Sequence, residues 1–262
     1  MTPGNANSPD RGEAAPGAAT GSGVASDELN ALRDDLVAAN RILVRQGVLD
    51  AFGHVSSRVA PGMDRFLLSG NLAPGSVTAS DLLVHDLEAT TSAERSLYLE
   101  RFIHAEIYRR RPDVMAIVHS HSASVIPLGV TSTPLLPIIH MAGFLPTSGT
   151  AVFEISDHAG DASDLLITSS SLGASLAEAL GDDAVILMRG HGSVAVGASL
   201  PEAVYRAVYT EVNARTQLQA LALGTPRYLS SGEASTAARS VGGQTARAWN
   251  VWREEARPTT AE

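Results

Sequence analysis

The 262 residues contain no cysteine, which removes disulfides and thiolate metal sites together. Any transition-metal site must then be built from imidazole nitrogen and carboxylate oxygen, a donor set that favours zinc, manganese, cobalt or iron. Positive charge is scarce too. Nineteen basic against 28 acidic residues give a formal charge of −9 and a pI near 5.3, a balance that repels phosphate backbones and anionic membranes. No basic cluster offers a local exception, so nucleic acid is not expected as a partner. The short run Arg109-Arg110-Arg111 reads as a helix C-terminus, where cations complement the macrodipole. No stretch of about 18 apolar residues is present to span a bilayer. Residues 1–25 also lack the apolar segment of a secretion signal, and the expected location is the cytoplasm.

What remains is a globular composition: 44% hydrophobic and 18% charged residues are enough to bury a sizeable core. Residues 1–25, rich in Gly, Ala, Pro and Ser, read as a disordered tail, and residues 26–262 as one domain. Helical spacing runs from Asp27 to Gln46 and stops at Gly47. Strands are expected at His54 to Val59 and Arg65 to Ser69, parted by Pro61-Gly62, with Asn71 to Ser80 as a loop. Ser92 to Arg111 reads as a helix with Leu99, Phe102, Ile103 and Ile107 on one face, ended by Pro112. Two buried strands follow, Val114 to Val118 and the AVILM run from Ala184, and Ser199 with Glu202 opens a long helix through Leu223. Trp249 and Trp252 imply that the C-terminal segment packs onto something, a second subunit being one option.

The chemistry gathers on histidines. On an extended strand alternate side chains share a face, so His119 and His121 point the same way and can grip one ion; alternatively they are chance polar decoration at a strand end. His191 lies between Gly190 and Gly192 just after another buried strand, where the backbone can turn tightly and a ligand can approach. Three imidazoles with one open position form a catalytic metal pattern. Glu100, read as mid-helix among apolar neighbours, is a candidate buried carboxylate whose pKa burial would raise; the alternative is an exposed glutamate paired with Arg101 or His104. Arg189, Arg215, Tyr205 and Tyr209 are open between substrate contact and packing.

Several stretches together resemble the class II aldolase/adducin family: Glu100-Arg101-Phe102-Ile103-His104 through Arg111-Pro112-Asp113, Ala116-Ile117-Val118-His119-Ser120-His121, and Gly190-His191-Gly192 before a long helix. The resemblance covers about Leu29 to Gly224. It implies an α/β fold, a three-layer α/β/α sandwich around a mainly antiparallel sheet, often assembled as a homotetramer with sites at subunit interfaces. It also implies one divalent metal ion per subunit held by His119, His121 and His191, with Glu100 as catalytic acid/base. Sugar-phosphate members of the family grip phosphate with a Gly-Asn pair, a Ser-Gly pair and two small hydroxyl residues before the catalytic glutamate. Here Gly53-His54, Gly70-Asn71 and Tyr98-Leu99 stand in those places. A phosphate dianion cannot be satisfied by an aromatic ring and a leucine.

Asp50-Ala51-Phe52-Gly53-His54-Val55-Ser56, Tyr98-Leu99-Glu100 and Met188-Arg189-Gly190-His191-Gly192 look closer to the family's decarboxylase branch, which includes 3,4-dihydroxyphthalate decarboxylase. The expected function is a metal-dependent carbon–carbon lyase decarboxylating a small hydroxylated aromatic or muconic-type acid through a stabilised enolate or phenolate. His54 and Asn71 are the expected substrate-binding residues. The competing expectations are an aldolase or epimerase for a small hydroxy-carbonyl substrate, an iron-dependent oxygenase, and a non-catalytic adducin-like module.

Overall fold

Strand parity organises the structure, a computed structural model that describes Met1 and residues 26–257. Seven strands form one sheet: β1 (His54–Arg58), β2 (Arg65–Ser69), β3 (Leu82–Asp86), β4 (Ala116–Ser120), β5 (Val152–Phe153), β6 (Val185–Met188) and β7 (Gly192–Gly197). Their order is β3-β2-β1-β4-β7-β6-β5, antiparallel throughout except for the parallel pair β5 and β6. Helices cover both faces. They are α1 (Ser26–Arg45), α2 (Arg101–Arg110), the single turns α3 (Ile126–Gly129) and α4 (Ser156–Ala159), then α5 (Ser170–Leu180), α6 (Leu200–Leu223), α7 (Ser231–Gly242) and α8 (Thr245–Glu255).

Alternating residues of each strand feed two separate cores. Val55, Leu67, Val118, Leu187 and Ala195 join a cluster with Leu36, Ile42, Val204 and Trp249 from α1, α6 and α8. Their neighbours Phe66, Ile117, Ile186, Val194 and Val196 join a second cluster with Ile103, Ile107 and Leu176 from α2 and α5. A sheet with period-two side chains and no polar face must be covered twice, and the three-layer α/β/α sandwich is the result. Both tryptophans find partners within the chain: Trp249 is buried in the first core, and Trp252 lies against Tyr209 with ring centroids 6.1 Å apart.

The expected helix over Ser92 to Arg111 begins only at Arg101. The stretch before it is irregular, because the Asn71 amide donates to the Ser96 carbonyl at 2.9 Å and the Tyr98 hydroxyl donates to the Leu72 carbonyl. Glu100 is consequently not mid-helix but immediately precedes α2, and Leu99, expected on a buried helical face, is 59% exposed. The predicted opening of α6 is there: the Ser199 hydroxyl accepts from the Glu202 amide, while the Glu202 carboxylate accepts from Ala198. The tail expected over residues 1–25 lies, apart from Met1, outside the described residues. No helix among the described residues is long and apolar enough to cross a membrane.

Candidate metal centre and cavity

Parity brings the site residues to the α2 side of the sheet. His54 and His119 are register partners on neighbouring strands, so both rings share the face of Ile117 and meet α2. His121 follows one residue beyond the end of β4, and His191 occupies the turn between β6 and β7. The two glycines flanking His191 have different jobs. Gly190 adopts φ +67, in the left-handed region that side chains disfavour. Gly192 instead lets β4 come close, since a Cβ there would sit 2.0 Å from the Ser120 carbonyl oxygen.

The three imidazoles converge. His121 Nε2 lies 3.1 Å from His119 Nε2 and 3.0 Å from His191 Nε2, and the Glu100 carboxylate oxygen Oε2 is 3.4 Å from the Nε2 atoms of both His119 and His191. One ligand atom from each of the four residues lies within 4.8 Å of every other. Backbone carbonyls fix two of the rings: His119 Nδ1 donates to the Ser193 carbonyl at 3.2 Å, and His191 Nδ1 donates to the Leu165 carbonyl at 2.7 Å. With the proton held at Nδ1, each neutral ring presents a bare Nε2 lone pair to the centre. A single Nε2–H on His121 can satisfy only one of them. Lone pairs and a carboxylate aimed at one point repel one another unless a cation lies between them, so this donor set fits a divalent transition metal.

Local strain supports the outer shell. Leu165 has φ +66, a left-handed conformation that costs on the order of 1–2 kcal/mol for a side chain of this kind. Turn bonds from the Leu165 amide to the Ser163 hydroxyl and from the Leu166 amide to Asp164 hold it there. The same loop directs the Ile167 amide onto Glu100 Oε1 at 3.0 Å. Burial alone raises the Glu100 carboxyl, as the sequence suggested, but with no cation at the centre a proton taken up at Nε2 of His119 or His191 serves in its place, and the resulting charge and hydrogen bonds outweigh burial and hold the carboxyl well below the usual carboxylate range. Burial lowers His191, yet its bond to Glu100 reverses the sign and leaves it raised. His121, bonded to no carboxylate, is held at about 4 by burial and by repulsion from His119 and His191.

A cavity of about 360 Å³ opens beside Glu100 and His121, within the ~300–1,000 Å³ range of small-molecule sites. Phe52, Leu72, Leu99 and Leu166 make its lining largely apolar, with His54, Asn71 and Tyr98 as polar members and no arginine among them. His54 is buried against Tyr98 and His119, whereas Asn71 is exposed at the rim. The Tyr98 hydroxyl is engaged with Ser69, 3.1 Å away, and with the Leu72 carbonyl, which ties the cavity wall together. Arg189 is turned away, paired with Glu154, and the Tyr205 hydroxyl donates to the Met141 carbonyl; neither lines the cavity. Sequence reading missed Phe52, Leu72 and Leu166 as wall residues and could not see Ser193 and Leu165, whose contributions come from the backbone.

Residues 34–218 match the family model described as class II aldolase and adducin N-terminal domain. The chain belongs to that family. It is 43% identical over 198 residues to the decarboxylase tropJ of Talaromyces stipitatus, covering 70% of this chain and 73% of that protein. It is 29% identical over 205 residues to a 3,4-dihydroxyphthalate decarboxylase of Arthrobacter keyseri, covering 73% and 79%. Among solved structures, L-fuculose 1-phosphate aldolase from Glaciozyma antarctica superposes with a TM-score of 0.71 at 26% identity, covering 87% of this chain and 90% of that one. The chain thus has a class II aldolase-family enzyme fold, with decarboxylases among its relatives.

Proposed function

We propose that the chain is a divalent-metal-dependent carbon–carbon lyase that decarboxylates a small aromatic or muconic-type acid bearing a hydroxyl beside its carboxylate. The observation that carries this reading is the convergence of three Nε2 atoms and the Glu100 carboxylate next to an apolar cavity. His119, His121 and His191 are the proposed metal ligands. A zinc, manganese, cobalt or iron ion held there supplies a Lewis acid that draws electrons from a substrate oxygen conjugated with the breaking bond.

The chain's own residues do the remainder. Phe52, Leu72, Leu99 and Leu166 offer apolar walls to a flat ring and exclude water, which strengthens every electrostatic contact inside. Glu100 takes the proton of the substrate hydroxyl and returns it to the carbon that keeps the electron pair when carbon dioxide departs, so that protons and electrons balance. His54 and Asn71 bind the substrate's polar groups. All 19 basic residues are arginine, so none of the 262 residues can form the lysine imine that is the other common route to such cleavage. The decarboxylase names of the 43% and 29% identical relatives support the choice of reaction. So does a cavity wall without a cation to meet a phosphate.

The test is carbon dioxide release from ortho-hydroxylated aromatic acids by the purified protein, with and without metal. Full activity in a metal-stripped sample refutes the reading. An aldehyde product in place of carbon dioxide moves the assignment to an aldolase, and oxygen consumption moves it to an oxygenase. A homotetramer, the assembly proposed here, would cover the exposed Phe52 and Leu99 at the cavity mouth and is checked by light scattering.

A further inference from the structure

A buried chain of hydrogen bonds runs from the cavity into the α2 layer. His54 Nδ1 lies 2.6 Å from His104 Nε2, His104 Nδ1 lies 2.7 Å from the Ser56 hydroxyl, and that hydroxyl lies 2.8 Å from the Tyr108 hydroxyl. Ser56, His104 and Tyr108 are sealed from solvent. These four buried groups hydrogen-bond to one another and to no carboxylate among the described residues, and an unpaired charge there would be costly: burial holds both imidazoles below the usual histidine range and raises the Tyr108 phenol well above its ordinary value, so the chain contains neutral groups only.

Counting protons along it leaves one arrangement. The Tyr108 hydroxyl has the Ser56 oxygen as its one hydrogen-bond partner among the described residues, so it must donate there or bury an unsatisfied proton. Ser56 then donates its own proton to its remaining partner, His104 Nδ1. A bare Nδ1 puts the His104 proton on Nε2, which donates to His54 Nδ1. His54 is thereby left with its proton on Nε2, the ring nitrogen that has no hydrogen-bond partner among the described residues and that is not sealed within the wall of the cavity His54 lines.

We infer that Tyr108, Ser56 and His104 are positioning residues that lock His54 in the Nε2–H form, making it a fixed donor for an anionic oxygen of the substrate. The chain ends blindly at Tyr108, so it acts as a lock and not as a conduit to solvent. The need for such a donor follows from the cavity wall, which has no arginine, in a protein without lysine. A carboxylate oxygen that meets this wall and not the proposed metal is held by neutral N–H groups, and a donor that cannot switch to acceptor rejects groups that can only donate. This inference rests on the proposed substrate class for its ligand, but not for the tautomer itself.

Nitrogen-15 NMR of the histidine side chains in the intact protein reads the tautomer directly. The expected result is a protonated Nε2 and a bare Nδ1 on His54, with the Nε2–H signal moving when salicylate, the simplest ortho-hydroxylated aromatic carboxylate, is added. His104→Leu should mix the tautomers and weaken salicylate binding about tenfold, the scale of one charge-assisted hydrogen bond. His104→Gln, whose amide can donate at the same place, should restore both. A proton on Nδ1 of His54 in the wild type overturns the inference, as does unchanged salicylate affinity in a folded His104→Leu protein. Absence of carbon dioxide release would instead count against the proposed reaction and leave the tautomer measurement standing.

Discussion

Replacing each of the glycines beside His191 by alanine separates two physical roles that look alike on paper. At Gly190 an added Cβ meets only the Leu165 side chain at 3.5 Å, an ordinary contact, so the cost is that of forcing alanine into φ +67. That is about 1 kcal/mol, with little displacement of the ring. At Gly192 the Cβ would lie 2.0 Å from the Ser120 carbonyl oxygen and 3.2 Å from the His121 Cα. Cβ atoms essentially never approach a heavy atom within 3.0 Å, so β4 and β7 must part by at least about 1 Å. Metal–ligand distances tolerate only about ±0.2 Å, and the two strands carry the proposed ligands on either side of the clash. Overpacking of this kind costs about 1–3 kcal/mol. The expected outcome is therefore asymmetric: Gly190→Ala keeps zinc affinity within a few-fold and melts a few degrees lower, while Gly192→Ala loses at least tenfold in zinc affinity besides stability. Competitive zinc titration and thermal unfolding of both variants supply the data. Equal zinc affinities in the two proteins would refute the reasoning, because the close approach of β4 to Gly192 would then have no bearing on the site.

Metal removal should lower the melting temperature of the wild type, since bound ligand at 100 times its dissociation constant adds about 2.7 kcal/mol; His121→Ala should abolish that difference, and a metal-independent melting temperature in the wild type would contradict the site. Glu100→Gln keeps an acceptor for the Ile167 amide but cannot shuttle a proton, so turnover should fall by about 10²-fold or more with metal still bound; unchanged turnover removes its assigned role. His85 stacks on Phe66 and is held at about 4 by burial. Its folded pKa lies below the unfolded value of about 6.5, so its contribution is complete above that pH and is lost as pH falls towards 4. Urea unfolding should accordingly show the wild type losing up to about 3 kcal/mol more than His85→Phe between pH 7 and 4, and parallel pH curves for the two would dismiss the effect. Tyr98→Phe should raise KM more than it lowers kcat, because it frees the Leu72 and Ser69 contacts of the cavity wall; an unchanged KM counts against that wall as part of the binding site.

Legibility varied with how local the signal was. Alternation on an extended strand is a property of the backbone, so His119 and His121 could be placed on one face without any knowledge of neighbours. The helix boundary before Arg101 was not readable, because Leu99 continues the apolar spacing while hydrogen bonds with the distant Asn71 and Leu72 hold that stretch out of the helix. The direction of the Glu100 shift was misjudged for a related reason: burial can be guessed from neighbours in sequence, but the imidazoles that reverse it come from residues 19 and 91 positions away. The chain through Tyr108 had a faint trace. His54 and Ser56 alternate on one strand, and His104 and Tyr108 are one helical turn apart, but only the packing of α2 on β1 makes them partners.

By itself the sequence determined the donor chemistry, the buried strands and the family, since these follow from residue identity and short-range periodicity, which survive without a fold. Tertiary structure alone decided which nitrogen of each imidazole faces inward, how closely β4 approaches Gly192, and which wall the substrate meets. Those are set by backbone carbonyls and strand spacing, and a carbonyl oxygen looks the same whatever residue carries it.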